Sequence, residues 1–519
     1  MVNLRHLEFD DKCRSLKYIP RGLRQLCSLQ TLFYFVVGDQ RRRRRSGGIG
    51  ELHGLNQLRQ KLVIRDLRNV RDARDAEEAN LKDKTELQFL ILDWGYPGEY
   101  RRRRRRRVSS LEEHVLDNLQ PHQNLKELII KRYEGVKMPR WMLHSSYSLH
   151  GLPNLVELTI HECHNLKCLP LVGEFPCLRL LRLSNLEALE SICNKVVMTE
   201  GGIDNNNNNE GRGRDERKPL LMVLFPMLQQ LLLSRMPNLE KWTISVEEEE
   251  EAFLSSMFPR LIDLEFRYCK NLTTVPMFSV EGIQHLTSLR TLKLECLDKL
   301  VYLPDYPAPA TLEMLHIIEC PSLVRLPDCF FNNLKLLSEF KILRCSELTF
   351  LPEGIRHLIA LKRLKIGKCS SLSSLPQGIQ QLTALIDLDI SSCPGLKILP
   401  EGWGGLSSLE KFEIEDCSNL SSLPEGIQHL CSLKTLKLRT CPGLKALPDG
   451  LGSLPRLGYL DIESCSNLLS LPEGIQHLPA LYQLAIDNCP CLRSLPGGLE
   501  NLASRGLLYF SNCPNLSLS

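Results

Sequence analysis

The stretch LKRLKIGKCSSLSSLPQGIQQLTA (residues 361–384) is followed at once by LIDLDISSCPGLKILPEGWGGLSS (residues 385–408), and the two align without a gap. Leu361, Leu364, Ile366, Cys369, Leu372, Leu375 and Pro376 return as Leu385, Leu388, Ile390, Cys393, Leu396, Leu399 and Pro400. The cysteine keeps the same step through Cys345, Cys369, Cys393, Cys417, Cys441, Cys465, Cys489 and Cys513. A period this regular is the mark of one structural unit repeated and stacked.

The unit reads L-x-x-L-x-I-x-x-C-x-x-L-x-x-L-P-x-G-I-x-x-L-x-x, a leucine-rich repeat with cysteine in the slot more often held by asparagine. Leu388 and Ile390 are two apart, so both point to one side of a short strand. Proline lacks an N–H, so the strand is expected to end before Pro376. The G-I-x-x-L segment is too short for a full helix and reads as a 3-10 turn. One unit cannot close a core; stacking buries its leucines between neighbours. The expected fold class is an α/β repeat solenoid, a curved horseshoe with a parallel sheet on the concave face and irregular 3-10 turns on the convex face. Residues 1–519 are expected to form one such solenoid. Residues 1–330 are its irregular repeats, interrupted by loop insertions near 38–50, 95–110 and 194–219, and residues 331–519 are its regular repeats. Within the irregular part, Val70 to Lys84 reads as a short helix replacing a convex turn, from Ala73, Ala76, Ala79 and Leu81 among charges.

The formal charge of +4 is misleading. Arg41–Arg45, Arg101–Arg107 and Glu247–Glu251 are low-complexity runs, and without them 53 basic residues face 56 acidic ones. The body of the chain is therefore not a basic nucleic-acid surface. Residues 1–30 contain no apolar leader core, and no stretch reaches 18 apolar residues, so the sequence reads as cytoplasmic, with a nuclear pool allowed, and without a membrane span. Eleven cysteines, counting Cys163, Cys269 and Cys320, fill the repeat slot and are expected to be free thiols that cap backbone carbonyls. The repeat starts at Leu4 and ends just after Cys513 with no polar cap, which predicts self-association through end faces.

Phosphate-cradling, nucleophile-elbow and zincin motifs are absent from the sequence, so neither an enzyme nor a cofactor is expected. What remains is a variable strand face on a fixed scaffold. Its outward positions in consecutive units are Arg363 and Lys365; Asp387 and Asp389; Lys411, Glu413 and Glu415; Lys437 and Arg439; and Tyr459, Asp461 and Glu463. These form the candidate protein-binding site, because a charged ladder on a rigid sheet suits recognition of another protein.

Outside the regular repeats, Ser28-Leu-Gln-Thr-Leu32 leads through Phe35-Val-Val-Gly38 to Ile49-Gly-Glu-Leu52. Leu67-Arg-Asn-Val70 runs to Glu78-Ala-Asn-Leu81, then Leu90 to Trp94, Leu116 to His122, Tyr133-Glu-Gly135 and Pro139-Arg-Trp141. Phe225-Pro-Met-Leu228 pairs with Met236-Pro-Asn-Leu-Glu-Lys-Trp242. In these segments the chain resembles the leucine-rich-repeat region of plant coiled-coil-type nucleotide-binding disease-resistance proteins. The resemblance implies a role in defence: binding a pathogen effector or a guarded host protein, and restraining a nucleotide-binding switch domain in cis or in trans. The family's nucleotide-binding and coiled-coil parts have no counterpart here, so no residue is assigned to a nucleotide. The competing expectation is a cytosolic leucine-rich-repeat signalling scaffold.

Overall fold

The computed structural model describes residues 3–9, 16–39, 46–96, 105–142, 151–170, 175–195, 225–239, 241–245, 258–275, 286–499 and 506–516. The runs at 41–45, 101–104 and 247–251, and the insertion from 196 to 219, lie outside these residues. The chain divides into two compact units, Met1–Leu261 and Ile262–Ser519.

The second unit is a parallel ladder, and its rungs are named here by the residue in the cysteine slot. Its strands are Asp263–Arg267, Thr291–Glu295, Met314–Ile318, Glu339–Leu343, Arg363–Gly367, Asp387–Ser391, Lys411–Glu415, Thr435–Arg439, Tyr459–Glu463, Gln483–Asp487 and Leu508–Ser511. Each pairs with the next without a register slip. Alternation does the sorting: Leu388 and Ile390 are fully buried while Asp387 and Asp389 face outward.

One residue past each strand end adopts a left-handed backbone, including Lys368, Ser392, Asp416, Thr440 and Ser464. This conformation is unfavourable for side-chain-bearing residues, most of all a β-branched one such as Thr440. The gain is one more ladder bond per rung. Lys368 N–H donates to the Ser391 carbonyl at 2.8 Å, Ser392 to Glu415 at 2.8 Å and Thr440 to Glu463 at 2.7 Å. The same carbonyls accept a second donor, the buried cysteine thiol two residues on. Cys393 Sγ lies 3.4 Å from Ser391 O, Cys417 Sγ 3.5 Å from Glu415 O and Cys465 Sγ 3.7 Å from Glu463 O. The slot cysteines are free and buried from Cys163 to Cys489, as the repeat pattern predicts. Burial pushes the thiols of Cys417, Cys441 and Cys465 up to about 12, so they remain protonated donors.

The back of the unit is a stack of 3-10 turns at Glu353–His357, Gln377–Gln381, Trp403–Gly405, Glu425–His429, Asp449–Ser453 and Glu473–His477. Glycine in the L-P-x-G-I motif lets neighbouring turns touch: a Cβ on Gly354 would sit 2.4 Å from the Asp328 carbonyl. Ile355, Ile379, Ile427 and Ile475 drop from these turns into the core.

The first unit has the same plan with longer connections. Its main ladder runs Tyr34–Val36, Gln60–Arg65, Leu87–Asp93, Glu127–Lys131, Glu157–His161, Leu180–Ser184 and Gln230–Ser234, all parallel. A smaller parallel sheet joins Cys168–Pro170, Ser191–Lys195 and Lys241–Ser245. The ladder strand of this rung, Glu157–His161, ends before Pro170 as expected, and Pro170 itself closes an edge strand of the smaller sheet, where its missing N–H goes unused. The helix expected in Val70–Lys84 is Ala73–Glu77, with Asp72 capping the Asp75 N–H at 2.9 Å and Ala76, Ala79 and Leu81 buried. The insertion at 95–110 is not wholly a loop: a helix spans Arg105–Asp117. Val115 and Leu116 anchor it in the core, and arginine, a good helix former, lets it extend backward into the run. Glu112, Glu113 and Asp117 then accept backbone N–H groups of Glu134, Val136 and Arg140 at 2.7–2.9 Å, pinning the helix to the next turn.

Candidate functional site

Parallel register places the predicted residues in straight rows across the second unit. Arg363, Asp387, Lys411 and Tyr459 fall in one row, with Thr435 between the last two. Lys365, Asp389, Glu413, Lys437 and Asp461 fill the central row, and Glu415, Arg439 and Glu463 a third. Strands about 4.8 Å apart make each row continuous, so all twelve residues share one face.

Those charges are not presented bare. Lys365 Nζ lies 2.7 Å from Asp389, Lys411 Nζ 2.9 Å from Glu413 and Lys437 Nζ 2.6 Å from Glu413. Arg439 donates from Nε to Asp461 at 3.0 Å and sits 3.3 Å from Glu463. Each link crosses from one strand to a neighbour or joins two positions of one strand, so the face is an electrostatic lattice. Asp461 departs most from the solvent-facing position expected of it: its side chain is only 8% exposed, beneath Arg439. Asp387 is the poorly satisfied member. Lys411 is 4.0 Å away, Oδ1 has no hydrogen-bond partner, and burial with nearby Glu413 and Asp389 raises its carboxyl despite Lys411.

Toward the Cys320 and Cys345 rungs the face is organised by a residue outside the twelve. Glu339 is buried and meets Lys341 Nζ at 2.6 Å, His316 Nε2 at 2.8 Å and Arg363 Nε at 3.0 Å. Burial pushes its carboxyl up, but the hydrogen bonds from Lys341, Arg363 and His316 outweigh that and hold it at about 2. Burial lowers the His316 imidazole, against the raising effect of Glu339. Glu339 and Lys341 occupy readable strand slots, whereas the role of Glu339 as a hub depends on His316 and Arg363 arriving from the rungs on either side.

Chemically the face is a set of fixed donors and acceptors. The five charges of the central row are held in ion pairs, and no group of three His, Cys, Asp or Glu among the described residues is placed to hold a metal. Among the described residues no helix is long and apolar enough to cross a membrane. A rigid lattice of fixed donors and acceptors suits specificity, since a wrong partner pays for unpaired charge.

Residues 49–186 match the family model described as R13L1/DRL21 LRRs. The chain is 32% identical over 343 residues to a putative disease resistance protein RGA1 of Solanum bulbocastanum, covering 66% of this chain and 29% of that protein. It is 30% identical over 334 residues to a putative disease resistance RPP13-like protein 1 of Arabidopsis thaliana, covering 63% and 28%. It is 32% identical over 334 residues to the disease resistance protein RGA2 of Solanum bulbocastanum, covering 64% and 27%. The aligned region is thus under a third of each relative's length.

Proposed function

We propose that this chain, whose leucine-rich repeats are related to those of plant disease resistance proteins, is the protein-recognition region of an intracellular plant immune receptor. Its partner is a pathogen effector or a guarded host protein, and its contact surface is the ion-paired sheet face of the second unit. The carrying observation is the in-register lattice from Arg363 to Glu463, in which outward residues change from rung to rung on an unchanging scaffold. Docking in a cytoplasmic compartment agrees with the free buried thiols, which an oxidising environment does not favour.

The test exchanges charge without breaking the lattice. Lys365→Asp with Asp389→Lys preserves the cross-strand pair while inverting the pattern shown to a partner. Asp387, Asp389, Glu413 and Glu415 all changed to Lys is the stronger perturbation. The control set, Glu425, Asp449 and Glu473 changed to Lys, lies on the 3-10 turns. Each set is placed in a chimera behind a complete receptor switch domain and scored by effector-triggered cell death in leaves. Loss of response with the sheet sets alone supports the reading. Loss with the turn set alone overturns it.

A further inference from the structure

The sheet of the first unit has the same geometry as that of the second and the opposite chemistry. In the second unit the central outward row carries Lys341, Lys365, Asp389, Glu413, Lys437 and Asp461. In the first, register puts Tyr34, Val63, Ile91, Ile129 and Thr159 side by side on five successive strands. At about 4.8 Å per strand this is an apolar strip on the order of 20 Å long. Phe89 widens it, with Lys61 Nζ over its ring at 5.2 Å.

The sequence of these strands tells the same story. Leu62-Val63-Ile64, Phe89-Leu-Ile-Leu92 and Leu128-Ile-Ile130 are continuous apolar runs. A strand with one wet face alternates, whereas a parallel strand covered on both faces reads as an unbroken run. The inward half of each run, such as Leu62, Ile64, Leu90, Leu92, Leu128 and Ile130, fills the core. In the outward half Val63 is buried, while Phe89, Ile91 and Ile129 are half-buried and keep part of their apolar surface open.

Beside the strip, Glu127 and Glu157 are direct cross-strand partners. Like charges in that relation are destabilising. Neither has an ion pair with any described residue, and burial together with Glu157 raises the Glu127 carboxyl despite Lys61. An acidic pair set against an apolar strip, eased only in part by Lys61, is a site shaped for a cation attached to something greasy. Acid is not required by the fold at these slots, because the adjacent rungs hold Phe89 and Leu180 in the same row.

We propose that the sheet face of the first unit is a second docking surface, which takes an amphipathic helix of a partner protein whose apolar stripe is flanked by lysine or arginine. The stripe covers Ile91, Ile129 and Phe89, and the flanking cations neutralise Glu127 and Glu157. A helix laid along the strip advances 5.4 Å per turn, close to the strand spacing, so each turn meets about one rung. This surface belongs to the first unit and does not depend on the role of the charged lattice of the second.

The test uses the full chain and a fluorescent 18-residue synthetic helix with a leucine stripe flanked by lysines, followed by anisotropy. Its counterpart keeps the stripe and replaces the lysines with glutamates. The lysine peptide is expected to bind at least tenfold more tightly than the glutamate peptide. Glu127→Gln with Glu157→Gln should shrink that preference to within about threefold, and Ile91→Asp with Ile129→Asp should abolish binding. The central slot holds Asp389, Glu413 and Asp461 in the second unit, so aspartate there is compatible with folding, which circular dichroism checks. Lys365→Asp with Asp389→Lys should leave peptide binding unchanged, which separates this surface from the other. Equal binding of both peptides, binding by neither, or binding that survives the two aspartates overturns the proposal.

Discussion

Glu339→Gln isolates the hub of the charged face. Glutamine keeps the shape of a protonated glutamate, so the substitution removes the charge that Lys341, Arg363 and His316 surround. The carboxyl falls from an ordinary 4.5 to about 2 in the folded chain. At 1.36 kcal/mol for each unit, that depression corresponds to about 3 kcal/mol of stability at neutral pH. Lys341 and Arg363 are exposed enough to be rehydrated in the variant, which brings the expected loss to about 2–3 kcal/mol. A depressed folded pKa contributes stability above the unfolded value and loses it as pH falls through the folded one. The difference between parent and variant should therefore be full above pH 5 and less than half its size at pH 3. Repeat units unfold locally, so the assay is native-state hydrogen exchange at the amides of Leu315, Ile317, Phe340, Ile342, Leu364 and Ile366. A difference of the same size at pH 7 and pH 3 would refute the electrostatic account and leave a packing defect as the cause.

Two further substitutions test the scaffold. A Cβ on Gly405 would lie 1.8 Å from the Gln380 carbonyl, whereas one on Gly404 meets nothing closer than 3.5 Å. Gly405→Ala should cost about 1–3 kcal/mol through overpacking and Gly404→Ala almost nothing, measured by urea unfolding; equal losses would mean that turn stacking is not the constraint. The Cys417 thiol caps the Glu415 carbonyl at 3.5 Å. Because Glu415 O also accepts the Ser392 N–H at 2.8 Å, Cys417→Ala should cost only about 1–2 kcal/mol, from one weak bond and a small cavity. A loss near 5 kcal/mol in the same unfolding assay would show that the thiol is the carbonyl's principal partner.

The repeat text alone determined the solenoid, the inward leucines, the buried free thiols and the 3-10 turns, because each follows from spacing within one unit. It also determined which residues of the second unit share a face, since period two and a constant repeat length fix register. The helix from Arg105 was missed because a charge run suppresses the periodic signal, while its anchor at Val115 and Leu116 lies beyond the run. The apolar face of the first unit was legible in Leu62-Val63-Ile64 and Leu128-Ile-Ile130, as runs that fail to alternate. Irregular repeat lengths hid that these outward residues line up. Only the tertiary structure decided how the charges are used. Whether Asp461 faces water or lies under Arg439, and whether Glu339 pairs only with Lys341 of its own strand or also gathers His316 and Arg363, depends on neighbours at least 22 residues away in sequence. Ion pairing across strands is set by distance in space, and the sequence of a single rung carries no record of what the next rung will bring beside it.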